Sequence, residues 1–341
     1  MIERNKKARE GLKERREESV GVFMLSLPIA LFLVAGRMAV IGREEGFSLA
    51  ELLAAFVIAS VLLPLVAYTA RKVIAGEGKE KKSFWERAYL VLLGLTVSAL
   101  AFYTAVIGTL EMMDFAIDVV LLKTPRMAVA LIFLALVAYL SRCGSVTLRK
   151  ISLSAAVFVF AGSLLLFVLS LPMIDSGELW ELAIKEHPFS AGGVGSAFVR
   201  VFAPVAVAVI YISVALGRRL SSSRTLATSW GLTLGGGVLT VCFLNSLLIL
   251  GASMGDIYGY PYVAAVSTVT AGKLFARMDG LLYMMYFGAA TVRAAVSVSL
   301  ICLVAGRAMP VKRESRRLRL LLVLVCLLVA ASVLAIESFA K

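Results

Sequence analysis

The sequence predicts an all-α membrane protein of about nine transmembrane helices, and three observations carry that reading. Of its 341 residues 60% are apolar, against about 45–50% in soluble domains, and the mean hydropathy is +0.91. The apolar residues gather into runs of roughly the twenty needed to cross a ~30 Å hydrocarbon core. Between the runs, segments rich in lysine and arginine alternate with segments poor in them. Charged residues make up only 17% where ~25% is usual, which excludes a soluble enzyme, a disordered chain and an ordinary nucleic-acid-binding domain. The short alternating segments of a membrane β-barrel are absent.

Residues 1–19 form a charged tail, seven Lys/Arg mixed with five Glu at helical spacing, expected to be solvated and cytosolic. Residues 20–341 read as a single polytopic domain. No small-residue cleavage site follows the first apolar run, so it is expected to be a retained span and not a signal peptide. The spans run Val20–Ile41, Leu49–Thr69, Ala88–Leu110, Met127–Leu140, Ile151–Ile174, Ala197–Leu216, Ser229–Ala252, Gly280–Ala305 and Leu318–Ile336. The fourth is short and draws on Pro125 and Arg126 at its mouth. Asp256–Asp279, between spans seven and eight, is too polar at both ends to cross and is expected to hold short helices at the membrane surface.

Segments on the side of the N-terminus carry 25 Lys/Arg and those on the opposite side carry 9; the one left over, Arg293, lies inside span eight. By the positive-inside rule the N-terminus is cytosolic and Lys341 is outside. The net charge of +13 is thereby an orientation signal, and no nucleic-acid partner is expected.

Arg293 is the clearest ionisable group deep in a span. A charge at a helix centre costs about 2.5–3.5 kcal/mol on insertion scales, so Arg293 is expected to face the bundle and meet a carboxylate, backbone carbonyls or water. It could gate, touch a ligand, or serve structure alone. Glu111, Asp114 and Asp118 follow span three at i, i+3 and i+7, one face of a helix. A solvated acidic face at the outer mouth is expected, with Glu111 the candidate exception. Span one holds Pro28 and Gly36, and span six is preceded by Ser190–Ser196, with Gly192, Gly193 and Gly195, and contains Pro204. Proline removes a backbone donor and glycine lets the backbone unwind, which at membrane depth is tolerated where it lines a cavity or is buried in protein. Half-helix N-termini there attract carboxylates, and freed carbonyls attract amines or cations. Spans one and six are equivalent positions of a five-plus-five inverted repeat. Tyr103, Tyr283 and Tyr286 are candidate pocket residues. Cys143, Cys242, Cys302 and Cys326 show no metal spacing, and His187 is the one histidine. No cofactor or metal is expected. Without a Ser-His-Asp set, HExxH or paired intramembrane aspartates, neither is an enzyme.

The stretch from Tyr260-Pro261 through Val269-Thr270-Ala271-Gly272-Lys273-Leu274-Phe275-Ala276-Arg277-Met278-Asp279-Gly280-Leu281 resembles the spore germination permeases, the B subunits of germinant receptors. The Arg277-x-Asp279 pair matches that family's segment leading into span eight, and Arg293 falls where the family carries a basic residue. Lys123-Thr124-Pro125 with Met127–Arg142 is similar to its short loop and fourth span, and Gly192–Pro204 occupies the place of its interrupted sixth span.

The resemblance implies membership of the amino acid–polyamine–organocation superfamily. The fold would be the inverted-repeat transporter fold, five plus five with the last helix missing. The function would be sensing of a nutrient, often an amino acid, beside A and C subunits in the spore inner membrane or cell membrane. The ligand would sit between spans one, three, six and eight, with Pro28, Tyr103, Gly192, Gly193, Gly195, Pro204, Tyr283 and Tyr286 around it, and Arg277, Asp279, Arg293 and Glu111 as gating or structural charges. The family has ten spans and an acidic residue close after the proline of span six; here Pro204 is followed by Val205-Ala206-Val207. The lost carboxylate weighs against one alternative, a proton- or sodium-coupled amino acid transporter, and toward a sensor or a degenerate member; a non-binding scaffold subunit is the other alternative.

Overall fold

The computed structural model describes residues 26–35, 49–75, 84–121, 123–173, 190–215, 223–251, 259–269, 278–308 and 316–339. The charged tail, Gly36, His187 and Arg277 lie outside them. Among the described residues the chain is helical with no strand. In chain order the helices are α1 (Ser26–Ala35), α2 (Leu49–Ala75), α3 (Phe84–Phe115), α4 (Arg126–Arg142), α5 (Gly144–Ser170), α6 (Ala191–Ala197), α7 (Val205–Ala215), α8 (Ser223–Leu250), α9 (Pro261–Thr268), α10 (Asp279–Ala308) and α11 (Arg316–Phe339).

Each expected apolar run coincides with a helix or part of one. By length and composition, four helices among the described residues can cross a membrane, or five if the bent pair α6–α7 is one span, against the nine expected. The outward faces are apolar: Val61, Leu95, Ile132, Leu164 and Leu327 are all exposed. So much exposed aliphatic surface would be an aggregation hazard in water and suits lipid. The chain is a multi-pass helical membrane protein.

Helices apolar all round belong inside a bundle, and α1 and α7 obey. Ile29 to Ala35 and Val205 to Ser213 are buried without interruption. Glycine sets how closely α1 approaches α8. A Cβ at Gly231 would stand 2.7 Å from the Ser26 carbonyl oxygen, and one at Gly235 2.9 Å from that of Ala30. This Gly-x-x-x-Gly stripe lets the two backbones touch. The helices fall into two packed groups. In one, α2 packs on α6, α7 and α8, and α1 lies on α8. In the other, α3, α4 and α11 pack on one another and on α10. α5 bridges the groups, touching α8 and α10, and α7 meets α3 and α10.

Three expectations change. Span three does not end at Leu110: α3 runs to Phe115 and continues through a π-helical turn, Ala116–Val120, where the Leu121 N–H donates to the Ala116 carbonyl at 2.6 Å. The acidic face stays helical because Met112, Met113, Phe115 and Ala116 on the other side are buried. The glycines before Pro204 are not unwound. Ser190 caps α6 by accepting from the Gly193 N–H at 2.9 Å, and the break comes at Ala203–Pro204, after a π-helical turn over Phe198–Phe202. Ala203 N–H reaches back to the Phe198 carbonyl, Pro204 has no N–H to continue the ladder, and the axis bends by 45°. Finally, the short helix expected between spans seven and eight is present as α9, and it is packed into the protein. Tyr262, Ala265 and Val266 are fully buried, with α9 packed against α8 and α10.

Candidate functional site

Arg293 stands about 21 Å along α10 from Asp279, at ~1.5 Å per residue. Its side chain is 3% exposed. A guanidinium so placed needs a counter-charge, and α3 supplies one: Nη1 donates to Glu111 Oε2 at 3.3 Å. The Glu111 side chain is 16% exposed. α3 and α10 run antiparallel, so the α-helical continuation of α3 past Leu110 to Phe115 is also what sets Glu111 opposite Arg293. The contact is single and long; a bidentate arginine–carboxylate pair is shorter, at about 2.7–2.9 Å. Arg293 Nε, also buried, has no hydrogen-bond partner among the described residues. Beside it α3 presents Gly108, where a Cβ would lie 3.7 Å from that Nε. From α1, the Phe32 ring centroid lies 6.0 Å from Arg293 Cζ, the outer limit of a cation–π contact. Three helices thus converge on one cation.

One turn further along α3 from Glu111, Phe115 packs among three tyrosines. Its ring centroid is 4.5 Å from that of Tyr286, 5.7 Å from Tyr283 and 5.5 Å from Tyr260. Edge-to-face and tilted contacts of this kind each add about 0.5–1.5 kcal/mol beyond their buried area. The tyrosine hydroxyls point to the rim: Tyr260 donates to Asp118 at 3.3 Å and Tyr283 to Asp279 at 3.0 Å. The result is an aromatic cluster edged by carboxylates.

A second polar cluster joins α2 to α6. Glu51, in the first turn of α2, is 2% exposed. Its Oε1 accepts from the Ser190 N–H at 2.7 Å and from the Ser190 hydroxyl at 2.9 Å. The carboxylate lies directly over Gly193, where any Cβ would land on it.

The structure brings together Arg293, Glu111, Tyr283, Tyr286 and Asp279 of the residues expected at the site. Gly193 belongs to the Glu51 cluster, and Pro204 marks the bend. Gly192 and Gly195 are exposed, with nothing within 4 Å of a Cβ built on either. Pro28 is half-buried in α1, which is helical throughout Ser26–Ala35, so the described part of span one is not interrupted there. Tyr103 is 57% exposed on the outer side of α3 and does not join the group around Arg293. It points away because Thr104 and Ala105, its chain neighbours, take the inward positions.

Sequence reasoning passed over Glu51, Gly108, Phe115 and the Gly231–Gly235 stripe. Two of these had a legible signal. Glu51 is a carboxylate inside an apolar run, which is costly unless partnered, and Gly-x-x-x-Gly in an apolar segment is a helix-contact motif. Gly108 and Phe115 look like ordinary residues of a span until the α3–α10 register is known. No known family model matches the chain, and no curated protein matches it.

Proposed function

We propose that the chain is a nutrient-sensing, permease-like membrane subunit of the kind found in spore germinant receptors, with an amino acid as its ligand. The observation that carries the reading is the buried Arg293–Glu111 pair, one turn of α3 from the Phe115–Tyr286 contact, where α1, α3 and α10 converge. A polar centre of this kind inside an apolar bundle is a functional site by default.

Two further features support it. Counted as spans, α1, α2, α6–α7 and α8 are one, two, six and seven; α3, α4, α10 and α11 are three, four, eight and nine. In a five-plus-five repeat each span corresponds to the one five places on, so each packed group maps onto itself. That division is what an inverted repeat produces. The bend at Pro204 falls in span six, where such folds break a helix to expose backbone to a ligand. In this reading the N-terminus is cytosolic, the Asp118–Asp279 rim faces outward, and ligand binding biases a two-state bundle whose change passes to A and C subunits.

The test is a screen of the purified full-length chain in lipid nanodiscs against amino acids, sugars, nucleosides and inorganic ions, read by thermal stability. At least one small nutrient should raise the midpoint. If none does, alone or with co-purified subunits, the scaffold reading replaces this one.

A second reading, ion-coupled amino acid transport, gains from Glu111 and Glu51, two carboxylates held inside the bundle. Uptake of labelled amino acid into proteoliposomes, abolished by dissipating a proton or sodium gradient, would favour it. Binding without uptake favours the sensor.

A further inference from the structure

We propose that Arg293 and Glu111 together read a zwitterion: the ion pair parts, the ligand carboxylate takes the guanidinium, and the ligand ammonium takes the Glu111 carboxylate. This rests on the nutrient-sensing reading and names the chemistry of its site.

Charge balance is the first reason. Arg293 is nearly sealed from solvent, and a buried charge whose partner is removed costs several kcal/mol. A ligand that separates the pair must replace both halves. A monoanion satisfies Arg293 but takes from Glu111 the guanidinium it faces, and a monocation does the reverse. A molecule bearing one positive and one negative group a few ångström apart compensates both and leaves the site as neutral as it began.

The resting pair is also built to part. It is held by one 3.3 Å contact, not by the two-pronged geometry of a structural arginine clamp. The Nε edge of the guanidinium carries a buried N–H with no partner among the described residues, although an unmet buried donor is costly. A carboxylate accepting from Nε and Nη2, the two donors of that edge, would satisfy it. Gly108 keeps side-chain atoms off that edge; a methyl group there would still stand 3.7 Å from Nε, and anything larger would fill the slot.

The pair also sits where the two packed groups meet: Arg293 and Glu111 belong to one, and Phe32 to the other. A ligand wedged between the charges therefore has a path to shift one group against the other. One turn of α3 beyond Glu111, Phe115 packs on Tyr286 of α10.

The experiment measures binding of the twenty proteinogenic amino acids to the full-length chain in nanodiscs by thermal shift. Each hit is then compared with its carboxamide, which keeps only the ammonium, and with its des-amino acid, which keeps only the carboxylate. In the wild type the zwitterion should bind and neither derivative should. Arg293→Gln should weaken the amino acid by about tenfold to a hundredfold, the range for losing one charged partner, and shift preference toward the carboxamide. Glu111→Gln should shift it toward the des-amino acid. This crossed selectivity is something a merely structural ion pair would not produce. Should a single variant fail to fold, the double variant Glu111→Gln/Arg293→Gln leaves no orphan charge, should fold, and should bind none of the three. Retained amino acid binding in the variants within twofold overturns the proposal while leaving the nutrient-sensing reading intact. Wild-type binding of sugars, nucleosides or inorganic ions with no amino acid among the hits also overturns it; nutrient sensing then stands, with a ligand other than an amino acid. Only a chain that responds to no nutrient class loses both.

Discussion

Gly193 is glycine because Glu51 occupies the place of its side chain. The carboxylate lies on the Cα face of α6 while accepting two hydrogen bonds from Ser190, the residue that caps the helix. Gly193→Ala should therefore push the carboxylate off Ser190 and cost about 1–3 kcal/mol, as overpacking does. In a Glu51→Ala background the same substitution should cost less than about 0.5 kcal/mol, the range for sites away from such features. Thermal unfolding of the four proteins of the cycle checks this.

Gly192→Ala and Gly195→Ala should behave in the opposite way. Both glycines are helical and open on the Cβ side, so alanine should be neutral or stabilising by up to about 1 kcal/mol each. Ligand response should survive in both. A loss of response in either would show that the whole glycine cluster acts as a unit.

The Arg293–Glu111 pair is testable by stability as well as by binding. Arg293→Met or Glu111→Leu alone strands a charge in the bundle and should destabilise by about 3 kcal/mol or more. The double variant removes both charges and should cost less than the sum of the singles by at least about 1 kcal/mol. Additive effects would mean that the 3.3 Å contact carries no coupling.

Packing of α1 on α8 rests on two missing side chains. Gly231→Leu or Gly235→Leu places atoms where Ser26 and Ala30 have their carbonyl oxygens, and backbone cannot rotate aside as a side chain can. Each should cost at least about 1–3 kcal/mol and abolish ligand response. Gly237→Ala on the same helix, with nothing within 4 Å of its Cβ, is the matched control. Tyr103→Ala, on the outer face of α3, should likewise leave response unchanged.

Much of the architecture was legible because apolar run length and charge alternation report directly on helices that must cross lipid. The burial of Arg293 followed from the cost of a lone charge, which left a carboxylate, backbone carbonyls or water as its partner. What stayed hidden depends on rotation and register, which composition does not carry. Tyr103 sits amid apolar neighbours and could face either way. Glu111 reads as the end of a span until α3 is seen to stay α-helical to Phe115. The glycines of α6 suggested unwinding because their low helix propensity was weighed without the Ser190 cap and the Glu51 carboxylate that hold the segment helical.

The division of span six into α6 and α7 has a consequence for biogenesis. Its second half is apolar throughout, but Ala191–Phe202 carries three glycines and Arg200, a poor stretch for partitioning into lipid unaided. α2 precedes it in the chain and carries Glu51, the carboxylate that receives Ser190 in the folded protein. The earlier helix thus acts as a docking post for the later one, and removing that carboxylate should lower the yield of correctly inserted protein even where the mature fold tolerates its loss.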